Sequence, residues 1–413
     1  MLLLSRALDT IVKTGTLHVI DPAGRRLTFG GTPEPQVTIR LKGRLTPWRI
    51  ALRPYLALGE SYMDGSLTIE DGGDIKDFLD LLLSNMRWER GSRFHTRRGL
   101  WLKRLVSMLL QINPVSRARR NVAHHYDLSG ALYDLFLDRD RQYSCAYYGE
   151  GVKTLEEAQE AKKAHLAAKL LLQPDHKVLD IGCGWGGLAL YLNRISGAKV
   201  KGVTLSTEQL EVAQRRAREA GVADAVTFAL EDYRKVEGKF DRIVSVGMFE
   251  HVGVPHFPAF FDKVADLLTD DGVMLLHTIG RADGPGRTDP WVRKYIFPGG
   301  YVPALSEIAP VIERAGFYIT DIEVLRLHYA RTIEAWYERF QANRRKVVEL
   351  YDERFARMWE FYLAGAWTAF AYSGHVNFQI QIAKKQTAVP LTRDYITDVE
   401  RKLATAREAH AAE

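Results

Sequence analysis

The feature that most constrains this chain is the run Val178-Leu179-Asp180-Ile181-Gly182-Cys183-Gly184-Trp185-Gly186-Gly187-Leu188. Its apolar start reads as a buried strand, its glycines as a tight turn and its end as the opening of a helix. Glycines let backbone approach a ligand closely, and a helix start offers unpaired N–H groups. The segment therefore reads as a cofactor cradle, since so many glycines in an empty turn would cost backbone entropy for no gain. Gly182, Gly184 and Gly187 satisfy the G-x-G-x-x-G spacing of dinucleotide folds. That reading expects an acidic residue about 20 residues further on, to hold a ribose 2′-OH. The next strand, Lys199-Val200-Lys201-Gly202-Val203-Thr204-Leu205, carries two lysines and no acid.

Asp180 stands two residues before the first glycine. An acid there, followed by G-x-G-x-G, resembles the first motif of class I S-adenosylmethionine (SAM) methyltransferases. SAM is a cation and lacks a pyrophosphate. A carboxylate at the strand end can face its charged end, where a pyrophosphate would be repelled. Around this motif the chain alternates β and α. A helix is expected over 155–172, with strands at 177–181, 199–204, 225–229, 240–246 and 272–278 and a closing hairpin at 317–325 and 328–333. Such alternation implies a mostly parallel sheet with helices on both faces, and ligands at the carboxyl ends of the strands.

The expected fold class is α/β. It is a Rossmann-like class I SAM-dependent methyltransferase with a mostly parallel seven-stranded sheet, a small N-terminal α+β domain and extra helices. The division reads as 1–85 for the N-terminal domain, 86–120 for a basic amphipathic connector and 121–413 for the catalytic domain. In the first, 15–20 and 26–29 form a hairpin about the turn Asp21–Gly24, 37–41 is a strand and 74–83 a helix. The tail from about 334 is charged and reads as mostly helical, with a long run from Arg344 to Phe361.

Charge and cysteine usage narrow the setting. Only Cys145 and Cys183 occur, with no metal spacing and no disulfide framework, which suits a reducing cytoplasm. No run of about 20 apolar residues is present to span a bilayer, and the start Met1–Arg6 is too short for a signal-peptide core. The net charge of +6 is mild. Its distribution says more. Between Asn85 and Asn121 lie ten lysines and arginines, with Glu89 as the only acid. Within them, Leu100–Leu110 wound as a helix puts Trp101, Leu105, Met108 and Leu109 on one face. Basic residues beside such a helix read as an interfacial contact with an anionic membrane. The plain alternative is a helix packed on the protein itself. Nucleic acid fits poorly, because apolar residues interrupt the basic set and no recognition motif occurs.

Several polar segments end at the expected crevice. The first strand leads to Gly182, Gly184 and Gly186. After the second come Thr204, Ser206 and Gln209, able to bind a ribose or adenine. After the third come Leu230, Glu231 and Asp232, where an acid can accept from an adenine amino group. The fourth and fifth bring Glu250 and His277, and upstream lie Tyr143, Ser144 and Cys145. A single buried His or Glu is usually structural. Several strand ends converging with both types point to chemistry.

Taken together, the segments YDLS, YSCAYY, LDIGCGWGG, GVTLS-x-x-Q, EHVG, LHTIG and FPGGY closely resemble the bacterial cyclopropane-fatty-acyl-phospholipid synthases and the related mycolic acid cyclopropane synthases. The resemblance covers about 120 to 385 and extends loosely over GESYMDGSLTIED. It implies that SAM gives a methyl to a cis double bond of a lipid acyl chain. The cation then loses a proton from the new methyl to bound bicarbonate, and the ring closes. The family's bicarbonate site falls on Cys145, Glu250, His277, Ile279 and Tyr329. His277, Tyr329 and the Cys145 and Ile279 amides would donate to the anion, while Glu250 accepts from it or orients His277. Tyr143 and Ser144 join the SAM site. The resemblance also implies a phospholipid bilayer as partner, peripheral attachment to the inner membrane face, and a lipid-binding or homodimer-forming role for the N-terminal domain. Tyr147, Tyr148, Phe249, Trp291, Tyr295, Phe297 and Tyr301 are candidates to stabilise the cation, with core packing as the plain alternative. The rivals are a fatty-acyl C-methyltransferase that does not close the ring, a non-catalytic lipid-binding protein and, remotely, a dehydrogenase.

Overall fold

The computed structural model describes residues 1–86 and 130–412, with side chains to 405. The basic connector, the 100–110 segment and the YDLS motif lie outside the described residues. By packing the chain forms two compact units. One holds 1–86, 288–298 and 330–375, the other 130–287, 299–329 and 376–412.

The first unit is built on a four-stranded sheet of β1 (Thr16–Ile20), β2 (Arg26–Gly30), β3 (Gln36–Leu41) and β4 (Leu67–Glu70), in the order β2-β1-β3-β4. The expected hairpin forms, with Thr16 opposite Gly30 and Ile20 opposite Arg26. Its turn is closed by Asp21, whose carboxylate accepts from the Ala23 and Arg25 amides at 2.9 and 3.0 Å. The helix expected over 74–83 runs Ile75–Ser84 from a reciprocal cap between Asp74 and Asp77.

The division by packing differs from the division by sequence, which assigned everything after 121 to one domain. Helix Glu353–Tyr372 packs in the first unit. Its Glu360 accepts from the Tyr62 hydroxyl at 3.0 Å, and its Arg354 pairs with Asp64 at 3.0 Å. Trp291 is buried in the same unit, so close that a Cβ on Gly59 would lie 2.5 Å from its ring nitrogen.

The second unit holds the seven-stranded sheet: β5 (Lys177–Ile181), β6 (Lys199–Thr204), β7 (Val226–Leu230), β8 (Phe240–Val246), β9 (Leu268–Arg281), β10 (Tyr318–Leu325) and β11 (His375–Ala383). The order is β10-β11-β9-β8-β5-β6-β7, and β5 through β9 pair in parallel. From β5 the chain moves outward to β7, then returns to β8 on the other side. That reversal between β5 and β8 is where an α/β sheet opens a ligand crevice.

Strand residues alternate between two cores. Leu179, Ile181, Met274 and Leu276 enter the phenylalanine-rich cluster of Phe249, Phe257, Phe260 and Phe261. Val178 and Leu275 face the other side, with Leu166 and Leu170 of helix Leu155–Leu170. That helix starts on a capping box. The Glu157 amide donates to Thr154 Oγ1 at 3.2 Å, and the Thr154 amide to Glu157 Oε2 at 2.9 Å.

The hairpin expected at 328–333 does not form. His328–Ala342 is a helix, with Ala330, Ile333, Trp336, Tyr337 and Phe340 buried at three- and four-residue spacing. The antiparallel partner of β10 is instead β11, from the tail expected to be helical. There the sequence HVNFQIQIA alternates, with Val376, Phe378, Ile380 and Ile382 in one core and Asn377, Gln379 and Gln381 on the opposite face. The run 344–361 is also divided, into helices Arg344–Leu350 and Glu353–Tyr372, where Asp352 caps the second by accepting from the Phe355 amide at 2.6 Å.

Candidate active site

A crevice of about 160 Å³ opens at the carboxyl ends of β5, β6 and β8. Tyr143, Ser144, Asp180, Gly182, Gly184, Thr204, Gln209, Glu231 and Asp232 all line it. Gly184 has φ +54° and nothing within 4 Å of where a Cβ would stand, so the open backbone of the turn lies here. Asp180 is 1% exposed, and its Oδ2 has no hydrogen-bond partner among the described residues. Burial pushes its carboxyl up to about 7, against the pull of the Lys162 ammonium. An unpartnered buried carboxylate beside an open glycine turn fits a cationic ligand such as SAM, whose positive charge would return the acid to its ionised form.

Three residues expected at the cofactor do not line the crevice. Gly186, at φ +82°, precedes helix Gly187–Ser196, where a Cβ would lie 2.7 Å from Phe228. Its freedom serves packing. Ser206 caps helix Thr207–Glu219, accepting from the Gln209 amide at 3.3 Å. Leu230 sits half-exposed at the end of β7. Two of the lining acids already have partners. Glu231 pairs with Lys201 at 2.8 Å. Asp232 accepts from the Arg234 guanidinium at 2.6 and 2.8 Å, which holds its carboxyl low although burial works the other way. Gly187 does line the crevice, where a Cβ would meet the Gln142 amide at 2.5 Å.

The residues expected to hold an anion, Cys145, Glu250, His277, Ile279 and Tyr329, are not on the crevice wall, and four of them are less than 9% exposed: Cys145, Glu250, His277 and Tyr329. Glu250 follows β8 in the turn Phe249–His251, three residues after the crevice-lining Gly247. Its Oε1 accepts from the Ile279 amide at 2.5 Å, and its Oε2 has no partner among the described residues. Burial pushes its carboxyl up to about 7, opposed by that amide. The Ile279 N–H, expected to face an anion, is thus given to Glu250. Cys145 is fully buried one residue after the crevice-lining Ser144. Tyr329 opens helix His328–Ala342, and its neighbour His328 accepts from the Tyr148 amide at 2.9 Å. The Cys145 segment is thereby tied to the start of that helix.

His277 is wholly buried on β9, on the sheet face covered by helix Leu155–Leu170. Burial, aided by the Lys162 and Lys169 charges, pushes its imidazole down to about 3, so the ring is neutral. Its Nδ1 lies 3.2 Å from Gln379 Nε2, and its Nε2 3.3 Å from Asn377 Nδ2. Lys169 donates to Gln379 Oε1 at 2.8 Å and pairs with Glu323. His165 meets Glu323 and Glu400 at 2.6 Å each, one on either ring nitrogen. Lys162 donates to Gln142 Oε1 and Ser144 Oγ at 2.6 and 2.9 Å, and burial pushes its ammonium down to about 8.

Sequence reading missed Lys162, Lys169, Asn377 and Gln379. The spacing that turns Leu155 and Leu166 inward also turns Lys162 and Lys169 inward. Of the aromatic candidates, Phe249 stacks on Phe257 at 4.3 Å in the core, while Trp291, Tyr295 and Phe297 pack in the first unit. Tyr147 is stacked between His165 and His328, at 4.2 and 5.0 Å.

Residues 114–380 match the family described as mycolic acid cyclopropane synthetase. A probable fatty acid methyltransferase of Pseudomonas putida is 36% identical over 376 residues, 88% of this chain and 92% of that one. The cyclopropane-fatty-acyl-phospholipid synthase of Escherichia coli K12 is 40% identical over 327 residues, 78% of this chain and 82% of that one. Among solved structures, the cyclopropane synthase MmaA2 of Mycobacterium tuberculosis superposes with a TM-score of 0.62 at 32% identity, over 66% of this chain and 99% of that one. With its crevice at the β5/β8 reversal, its unpaired Asp180 and this kinship, the chain belongs to the mycolic acid cyclopropane synthetase family and is a SAM-dependent methyltransferase.

Proposed function

We propose that the chain joins a methylene to the cis double bond of a phospholipid acyl chain, making a cyclopropane ring. The observation that carries this reading is Glu250: one oxygen pinned by the Ile279 amide, the other buried and unpartnered, with the neutral His277 two residues before Ile279 on β9. SAM supplies the methyl group, and bound bicarbonate supplies the base that takes a proton from that methyl once it has joined the double bond, so that the ring closes. Asp180 faces the cationic end of the cofactor. The unpartnered Glu250 oxygen accepts from an anion's hydroxyl, while His277, Tyr329 and the Cys145 amide donate to its oxygens. The burial of Cys145, Glu250 and His277 suits a site that keeps water from the cation, which would otherwise be quenched to an alcohol.

A bilayer as partner belongs to the same reading. In the first unit Leu45, Trp48, Leu52 and Tyr55 are exposed, and the stretch 42–59 holds Lys42, Arg44, Arg49 and Arg53 with no acid. Aromatic and aliphatic side chains among cations suit an anionic phospholipid surface at the inner membrane face.

The test is purified full chain with SAM and vesicles of defined unsaturated phospholipid. S-adenosylhomocysteine release, with olefinic proton signals replaced by cyclopropane signals, is the expected result. No S-adenosylhomocysteine would sink the reading. A methyl-branched product would favour the second one, fatty-acyl C-methylation, which the similarity to the Pseudomonas putida protein supports.

A further inference from the structure

We propose that Lys169 and Gln379 are positioning residues that fix the tautomer of His277, leaving its Nδ1 bare and its proton on Nε2. The inference rests on the reading of His277 as a donor to an anion. It follows from counting donors. An ammonium only donates, so the atom of Gln379 that meets Lys169 at 2.8 Å is its oxygen. The planar amide must then turn its NH₂ to the other side, where it meets His277 Nδ1 at 3.2 Å. A donor there needs a lone pair to receive it, so Nδ1 carries no hydrogen. A neutral imidazole has one N–H, which is left to Nε2.

A second observation points the same way. Asn377 Nδ2 faces His277 Nε2 at 3.3 Å, while Asn377 Oδ1 is buried with no partner among the described residues. Turning this amide end for end would let Oδ1 accept from Nε2–H and remove the orphan. Oxygen and nitrogen of an amide are assigned from such networks. Lys169 is itself held by Glu323 and by Asp321 at 3.7 Å, and Gln381 donates to its backbone carbonyl at 2.6 Å. The ammonium that sets the amide therefore has a fixed place. The consequence for chemistry is direct. With the proton on Nε2, His277 has an N–H that an anion can share with Asn377 Oδ1; with the proton on Nδ1, Nε2 would present a lone pair and repel one.

The decisive variant is Gln379→Glu in the full chain. One carboxylate oxygen stays on Lys169 and the other becomes an acceptor facing Nδ1, so the proton moves to Nδ1 at nearly constant shape. Turnover on unsaturated phospholipid vesicles is expected to fall about 100-fold, the usual effect of losing one preorganised donor. SAM affinity stays as in the wild type, and ¹⁵N spectra of the ring, assigned by comparison with His277→Gln, move the protonated nitrogen from Nε2 to Nδ1. Wild-type turnover in Gln379→Glu, or a wild-type ring protonated on Nδ1, overturns the proposal. Should that variant not fold, Gln379→Met combined with Asn377→Leu removes both amides that bear on the ring without reversing the constraint. A mixture of tautomers supports the proposal, and an unchanged Nε2–H tautomer overturns it. If His277→Gln itself turns over normally, it is the role of His277 in the proposed reaction that fails, and the spectra still decide the tautomer.

Discussion

The crevice and the buried polar set beneath helix Leu155–Leu170 lie in one unit, yet their charges are handled in opposite ways. In the crevice Asp180 is buried with an oxygen unpaired and Gly184 is left open. Beneath that helix Lys169 is wholly buried but lies among Glu323, Asp321 and Gln379, and His165 has a carboxylate at each ring nitrogen. An unpaired buried charge is costly in the free protein and becomes favourable when a ligand pairs it. A fully paired one adds no binding but holds its neighbours in place. Glu250 belongs to both patterns, one oxygen tied and one free.

The largest effect that would break this contrast is at Glu250. Glu250→Gln should lower turnover about 100-fold or more while SAM affinity, read by calorimetry, stays near wild type. Loss of SAM binding instead would make Glu250 part of the crevice. Lys169→Met should act on stability. It leaves Glu323 with His165 alone and should cost about 2 kcal/mol in denaturant unfolding, below the range for wholly buried pairs because Glu323 is partly solvated.

The crevice should reveal itself through pH. Under the proposed reading Asp180 meets the cation of SAM in its ionised form, and burial raises that carboxyl to about 7. SAM affinity should therefore climb with pH, by at most about tenfold per unit, and level off above 7. Asp180→Asn should bind weakly and lose the slope; an unchanged slope would assign it to another group. Stability runs the other way. Asp180 and Glu250 hold protons in the folded chain between about 4 and 7 that the unfolded chain has released, so unfolding free energy should fall as pH rises through that window. The smallest expected effect separates two glycines. Gly186→Ala meets Phe228 and should cost about 2 kcal/mol of stability. Gly184→Ala carries only its backbone strain, about 1 kcal/mol, and its main effect should be weaker SAM binding.

The same contrast explains what could be read from sequence. The crevice was legible because glycine turns and strand-end acids are local signals: Asp180, Gly182, Gly184, Thr204 and Gln209 all line it. The buried polar set was not, because it joins helix Leu155–Leu170 to β9, β10 and β11, about 110 to 210 residues further on. Lys169 and Glu323 look like surface charges until the strand that buries them is placed. That strand, β11, announces itself by alternation, but its second face is Asn, Gln and Gln in a tail read as mostly helical. The apolar partner for β10 was sought at 328–333 because hairpins join neighbours in sequence; here a helical excursion intervenes.

The buried set beneath helix Leu155–Leu170 also limits how this chain can drift. Each member answers for another: Lys169 for Glu323 and Gln379, Gln379 for His277, Glu323 for His165, and His165 for Glu400. Replacing one strands its neighbour, so the tolerated routes are paired exchanges across helix and sheet, and single-site libraries at these positions will understate what the fold can accept.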